Sequence, residues 1–165
     1  VAVRGPLATR YVQQFLRNVA WGDVDFLILD LPPGTGDIQL TIVQTAELDG
    51  VVVVTTPQEV ALIDARKAIG LFERVETPIL GIIENMSYFQ CPSDGKIYHI
   101  FGEGGGEREA AKLGVPLLGK IPLDISTRSG GDEGRPVALE DPGQNPVSAA
   151  FRQVAEQCAR VVLDR

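Results

Sequence analysis

An open, parallel α/β sheet with helices on both faces is the fold class this sequence predicts, and three observations predict it. Short apolar runs recur four times along the 165 residues, at 24–29, 50–56, 78–84 and 116–121. Stretches with helical apolar spacing separate them, and strand–helix alternation of this kind implies parallel strands with helices packed above and below. Each run also ends on a polar or turn-forming group: Asp30, Thr55-Thr56-Pro57, Asn85 and Pro122. Strands running in one direction carry those ends to one rim, where open α/β sheets bind ligands.

Residues 4–20 read as an amphipathic helix. Gly5-Pro6 opens it, proline being tolerated in a first turn, and Leu7, Tyr11, Phe15 and Val19 recur at helical spacing. Residues 24–29 are apolar except for Asp25, long enough for one buried strand and too short for a helix. Asp30 ends the run, and Pro32-Pro33-Gly34 forces a turn. Residues 38–48 are expected to be helical, with Asp37 as N-cap and Leu40, Val43 and Leu48 facing inward. The β-branched run 50–56 is a second strand. Residues 62–75 are helical, capped by Asp64 or entered earlier near Glu59; 78–84 is a third strand, and 107–113 a short helix stopped by Gly114. A fourth strand at 116–121 and a helix at 145–163 close the pattern. Segments 87–106 and 122–146 lack periodicity, and loops of that length in one domain are usually functional or mobile.

Composition narrows the class. Apolar residues make up 44% and charged residues 22%, ordinary for a soluble globular domain, and the net charge is -7. That balance argues against a nucleic-acid surface, which needs a basic stripe. No apolar stretch approaches the roughly twenty residues that span a bilayer, and the start shows no signal-peptide pattern. Two cysteines, Cys91 and Cys158, are too few for a disulfide framework. A cytoplasmic protein with no membrane or nucleic-acid partner fits. Gly-x-Ser-x-Gly and His-Glu-x-x-His motifs are absent, which leaves serine-hydrolase and zinc-protease chemistry without support.

The richest segment runs from Val24 to Asp37. A carboxylate at the tip of a buried strand is the Walker-B arrangement, in which the acid holds Mg²⁺ directly or through water. Gly34 and Gly36 then free the backbone to bring N–H groups against a terminal phosphate. The alternative for an isolated run of this kind is an ordinary strand ending in a turn. Further motifs follow in order: Trp21-Gly22-Asp23, Thr55-Thr-Pro-Gln-Glu-Val-Ala-Leu62, Glu84-Asn-Met-Ser-Tyr88, Ile100-Phe-Gly-Glu-Gly-Gly105 and Gly119-Lys-Ile-Pro-Leu-Asp124. Together with Asp30-Leu-Pro-Pro-Gly-Thr-Gly-Asp37, this series resembles the Mrp/ApbC-type P-loop ATPases, iron–sulfur cluster carriers within the ParA/MinD superfamily. The likeness runs from about Val3 to about Leu139.

The resemblance implies a deviant Walker-type P-loop NTPase, with ATP and Mg²⁺ as cofactors and hydrolysis acting as a dimer switch. Asp30 would hold Mg²⁺ and Gly34 would sense the γ-phosphate. Asn85 would read adenine, because an amide presents a donor and an acceptor together; Pro122, Leu123 and Asp124 would border the base. Residues 1–165 are then expected to be a single partial nucleotide-binding domain, the C-terminal part of a longer ATPase truncated at its N-terminus. No Gly-x-x-x-x-Gly-Lys-Ser/Thr occurs here, and Gly102-Glu-Gly-Gly-Gly106 lacks the lysine and hydroxyl of a phosphate loop. The chain alone is therefore expected to bind ATP weakly and not to hydrolyse it.

Cys91-Pro-Ser-Asp94 stands where the resembling carriers place Cys-x-x-Cys. There two subunits of a homodimer present four thiolates to a bridging iron–sulfur cluster for delivery to apo acceptor proteins. Asp94 replaces the second sulfur with a harder oxygen donor that holds iron less firmly. The open alternative is a loop cysteine whose metal role has lapsed. Cys158 reads as a small core residue, His99 as a surface or packing residue, and Arg128 and Arg135 as solvated charges. Two further functions remain open: a non-catalytic dimerising scaffold, and a ParA/MinD-type positioning ATPase. Against membrane docking, the last helix sets Arg152, Arg160 and Arg165 against Glu156 and Asp164, too balanced for a basic amphipathic anchor.

Overall fold

The computed structural model describes residues 5–31 and 37–164. Helix α1 spans Gly5–Asn18 and α2 spans Asp37–Thr45; the two pack on each other. The sheet follows: β1 Val51–Thr55, α3 Glu59–Arg74, β2 Ile79–Glu84, α4 Gly105–Leu113 and β5 Leu117–Lys120. A two-stranded hairpin, β3 Phe89–Gln90 and β4 Ile97–Tyr98, lies between β2 and α4. Helix α5 Ile125–Asp132, a 3₁₀ turn Val137–Leu139 and α6 Pro146–Leu163 complete the chain.

Strands β1, β2 and β5 form one parallel sheet in that order, with Thr55 opposite Glu84 and Glu84 opposite Lys120. The order follows from the crossovers, since each β–α–β connection brings the next strand alongside the last. Helix α3 carries Leu62, Ile69 and Phe72 on one stripe, all buried. Its Ile69 packs with Val53, Ile82 and Ala110 of α4 into the core on one sheet face. Helix α6 covers the opposite face, where Val154 rests on the backbone at Gly119. Asn145 caps α6 through Val147 N–H at 2.8 Å and Ser148 N–H at 3.3 Å, and Gly114 ends α4 in the left-handed conformation.

One expected element is corrected. Residues 24–29 form no strand, and they are not buried: Phe26 is 47% and Ile28 87% exposed. Among the described residues nothing pairs with this run, and β1 has β2 as its only ladder. A strand is completed by neighbours that take its N–H and C=O groups, and apolar pattern alone does not name those neighbours. Three elements were absent from the pattern, the β3–β4 hairpin, α5 and the 3₁₀ turn. Each hairpin strand is two residues long, too short for alternation to register.

Candidate functional site: the C-terminal rim of the sheet

The tips of β1, β2 and β5 are stitched into one rim by backbone hydrogen bonds. Asn85 N–H donates to Thr55 C=O at 2.7 Å, and Ile121 N–H donates to Glu84 C=O at 2.9 Å. Thr56, Asn85 and Pro122 thus sit at adjacent strand ends, as parallel strands require. The Thr56 hydroxyl oxygen is buried without a hydrogen-bond partner, one of two such side-chain atoms among the described residues. Buried hydroxyls are nearly always satisfied, and Thr56 and Thr127 are the two exceptions among the described residues.

Asn85 uses part of its amide locally: Oδ1 accepts from Met86 N–H at 2.9 Å. Met86 itself is held in the left-handed region, φ 52°, where a non-glycine residue costs about 1–2 kcal/mol. Such a turn persists only when its surroundings fix it, and strain of this kind gathers at ligand sites. The amide N–H₂ and the second lone pair of Oδ1 are the groups Asn85 has for a base edge.

Pro122 and Leu123 lie just beyond β5. Leu123 N–H donates to Tyr88 C=O at 2.7 Å and Ser87 N–H to Ile121 C=O at 3.0 Å, with a parallel bridge between Phe89 and Leu123. Asp124 is the N-cap of α5, accepting from Thr127 N–H at 3.1 Å and from the Ser126 hydroxyl. Burial works against its charge, but the Ser126 hydroxyl and the Thr127 amide outweigh it and hold its carboxyl below the ordinary range. Its side chain is therefore spent on helix α5, and its contribution to the rim is backbone.

Asp30 lies in an exposed irregular segment rather than at the tip of a sheet strand. The structure does not bring it onto the β1–β2–β5 ladder. Gly34 falls outside the described residues.

Cys91 begins the turn between β3 and β4. Cys91 N–H donates to Lys96 C=O at 2.9 Å and Gly95 N–H to Cys91 C=O at 2.8 Å. The thiol lies 3.0 Å from the Ser93 hydroxyl. That hydroxyl, followed by the amides of Ser93 and Asp94, holds the thiol below its ordinary 9.0. Asp94 faces the same turn; Lys96 N–H donates to its Oδ1 at 3.0 Å, and that bond is the main reason its carboxyl sits low. No group of three or more His, Cys, Asp or Glu that could hold a metal ion converges among the described residues. Burial raises the half-buried Cys158 thiol. His99 ties loop to loop, with Nδ1 3.4 Å from Ser87 C=O. Arg128 pairs with Asp132 at 2.9 Å, and Arg135 pairs with Glu133.

Sequence reasoning passed over Glu84. It is fully buried (0% exposed) at the tip of β2. Its Oε1 accepts from the Ser87 hydroxyl at 2.5 Å and its Oε2 from Gly106 N–H, in the first turn of α4, at 2.6 Å. The signal was present: Glu84 shares parity with Ile82, hence its buried face. The glycine run 102–106 also gains a role. A Cβ on Gly105 would come within 2.7 Å of Pro57 C=O, and one on Gly106 within 3.1 Å of Glu84 Cβ. These glycines let the start of α4 wedge between the tips of β1 and β2.

Residues 1–159 match the family described as NUBPL iron-transfer P-loop NTPases of the ParA group. The chain belongs to that family. It is 50% identical over 154 residues to an iron–sulfur cluster carrier protein of Pyrococcus furiosus, covering 93% of this chain and 52% of that protein. The carrier of Escherichia coli K12 is 49% identical, with 94% and 42% covered. An Arabidopsis thaliana mitochondrial iron–sulfur protein required for NADH dehydrogenase is 46% identical, with 95% and 50% covered. The chain therefore spans about half the length of these relatives. A nucleotide-binding protein from Archaeoglobus fulgidus, solved with ADP, superposes with TM-score 0.71 at 43% identity, covering 78% of this chain and 53% of that one. The cell-division ATPase MinD of P. furiosus, at 24% identity and TM-score 0.68, with 93% of this chain and 59% of that one covered, shares the fold.

Proposed function

We propose that this NUBPL-family chain is the C-terminal part of an ATP-dependent iron–sulfur cluster carrier. Nucleotide would lie along the β1–β2–β5 rim, and the cluster would be carried as cargo between the Cys91 turns of two subunits. One observation carries the reading: the strand tips bearing Thr56, Asn85 and Pro122 and the hairpin bearing Cys91 are fastened to the same edge of the sheet. The partnerless Thr56 hydroxyl fits a ligand there. Asn85 would present its amide to adenine, Pro122 and Leu123 would flank the base, and the Asp124 backbone would close that side.

Mg²⁺, if held, would be held by Asp30, whose carboxylate suits a hard cation; the ion supplies charge neutralisation at the phosphates. Gly34 and its neighbours would form the turn that responds to the γ-phosphate. A phosphate loop would have to come from sequence beyond these residues. Cys91 offers a sulfur ligand already biased toward the thiolate, and Asp94 an oxygen. Two chains would give two sulfurs and two oxygens, a set weaker than four sulfurs. The homodimer and the apo acceptor proteins belong to this proposal. No helix among the described residues is long and apolar enough to cross a membrane.

The test uses the full-length protein. Asp30→Ala is expected to lower Mg²⁺-dependent hydrolysis on the order of 10²-fold or more while leaving ADP affinity near the parent's; unchanged turnover would remove Asp30 from the chemistry. Anaerobic reconstitution is expected to give a labile cluster in the parent, a sturdier one in Asp94→Cys and none in Cys91→Ala. Equal cluster content in parent and Cys91→Ala would take the hairpin out of the metal chemistry.

A further inference from the structure

The 20-residue excursion from Ser87 to Gly106 leaves the sheet at the tip of β2 and returns as the first turn of α4. Its outgoing limb is zipped to the β5 extension by the Ser87–Ile121 and Leu123–Tyr88 backbone bonds. Its returning limb pairs through β4 with β3 and, among the described residues, has no such ladder to the sheet itself. It is held by Gly106 N–H on Glu84, by the weak His99–Ser87 contact, and by close packing of Gly105 on Pro57. Glu84 touches both ends of the excursion through its side chain, one oxygen on each. It also immediately precedes Asn85 in the chain.

A carboxyl group taken wholly out of water is costly unless its oxygens are bonded. Here one oxygen accepts from a backbone N–H in the first turn of α4 and the other from a hydroxyl. We propose that Glu84 is a positioning residue that ties the hairpin carrying Cys91 to the strand tip carrying Asn85. A ligand that orders the Asn85 turn thereby orders the hairpin as well. The proposal rests on the nucleotide reading given above, and it adds the physical connection between nucleotide rim and metal-binding turn.

Three variants separate the tie from general stability. In Glu84→Gln the carboxamide oxygen can accept from Gly106 N–H while its N–H₂ donates to the Ser87 hydroxyl, which rotates to accept. The tie is kept. Glu84→Ala removes it. Gly106→Ala leaves the carboxyl in place but drives a methyl to 3.1 Å from Glu84 Cβ and 3.2 Å from its Oε2, while raising helix propensity in α4. Glu84 must then give by a few tenths of an ångström, and the expected result is a longer bond to the residue-106 N–H with the helix intact.

Hydrogen exchange of residues 86–104 is followed in the full-length protein with and without ADP, together with ADP affinity by calorimetry. In the parent and Glu84→Gln, ADP is expected to slow exchange across 86–104 about fivefold or more, the size of effect one buried hydrogen bond confers. In Glu84→Ala and Gly106→Ala that response is lost, while ADP affinity stays within about threefold of the parent. A full hairpin response in Gly106→Ala, or a parent hairpin that ignores bound ADP, overturns the tie. Gly106→Ala decides the matter even if Glu84→Ala does not fold. A parent that binds no ADP at all fails at the earlier step, removing the nucleotide reading and the tie with it.

Discussion

Two apolar runs of similar length, residues 24–29 and Ile79–Glu84, have opposite fates. Ile82 in the second is 0% exposed between β1 and β5, with α4 above it. Ile28 in the first is 87% exposed. Both runs carry the same instruction to bury, and the hydrophobic effect acts on both. What differs is the supply of partners: β2 has a strand on each side and helices above and below, whereas 24–29 has no ladder among the described residues. An apolar run sets a demand for burial, and the neighbouring elements decide whether it is met.

The comparison breaks or sharpens at several points. The largest expected effect is in hydrogen exchange of the 165-residue chain: amides of β2 should exchange on the order of 10³-fold slower than those of 24–29. Equal protection would mean the first run is buried in solution. Next, Ile82→Ala is expected to cost about 2–5 kcal/mol in urea denaturation, against roughly 0.5 kcal/mol or less for Ile28→Ala.

A smaller effect comes from the ion pair that fastens α3 to α4. Arg66 Nη2 lies 2.7 Å from Glu109 Oε1, and Lys112 Nζ 2.8 Å from the same oxygen. Arg66 first and Lys112 second pull the buried Glu109 carboxyl from 4.5 to about 2. The folded value is depressed, so the contribution is complete above the unfolded value of 4.5 and is lost as pH falls toward 2. Glu109→Gln should lower stability by about 1–3 kcal/mol at neutral pH and flatten its acid dependence over that window. An unchanged pH profile would show the pair to be idle.

The smallest effect is at the hairpin. Alkylation of Cys91 should titrate below 9.0 and that of Cys158 above it, and Ser93→Ala should move Cys91 upward by removing its largest stabilising partner. Coincident titrations of the two thiols would contradict the turn geometry.

Much of the frame was legible before any coordinates. Strands β1, β2 and β5 and helices α3, α4 and α6 lie within a few residues of the expected bounds, because their apolar periods run long enough to register. Helix α5 was hidden by Gly130 and Gly131, which dilute its pattern; Asp124, with Thr127 three residues on, was the capping signal that marked its start. In the candidate site, Thr56, Asn85 and Pro122 were legible as strand ends. The hydrogen bond from Gly106 N–H to the Glu84 carboxyl was not, since the two residues are 22 positions apart and meet only in the folded chain.

The sequence by itself determined the parallel α/β class and the polar group at the end of each sheet strand, because periodicity and turn chemistry are local. It also determined the lack of a phosphate loop in these residues and the single cysteine of Cys91-Pro-Ser-Asp94. Tertiary structure decided which runs pair, that the hairpin bearing Cys91 is fastened to the rim bearing Asn85, and that the glycines before α4 serve close packing. Those outcomes depend on approach between segments 20 or more residues apart, such as Glu84 and Gly106. Such approach is settled by the whole set of competing contacts, and no local pattern encodes it.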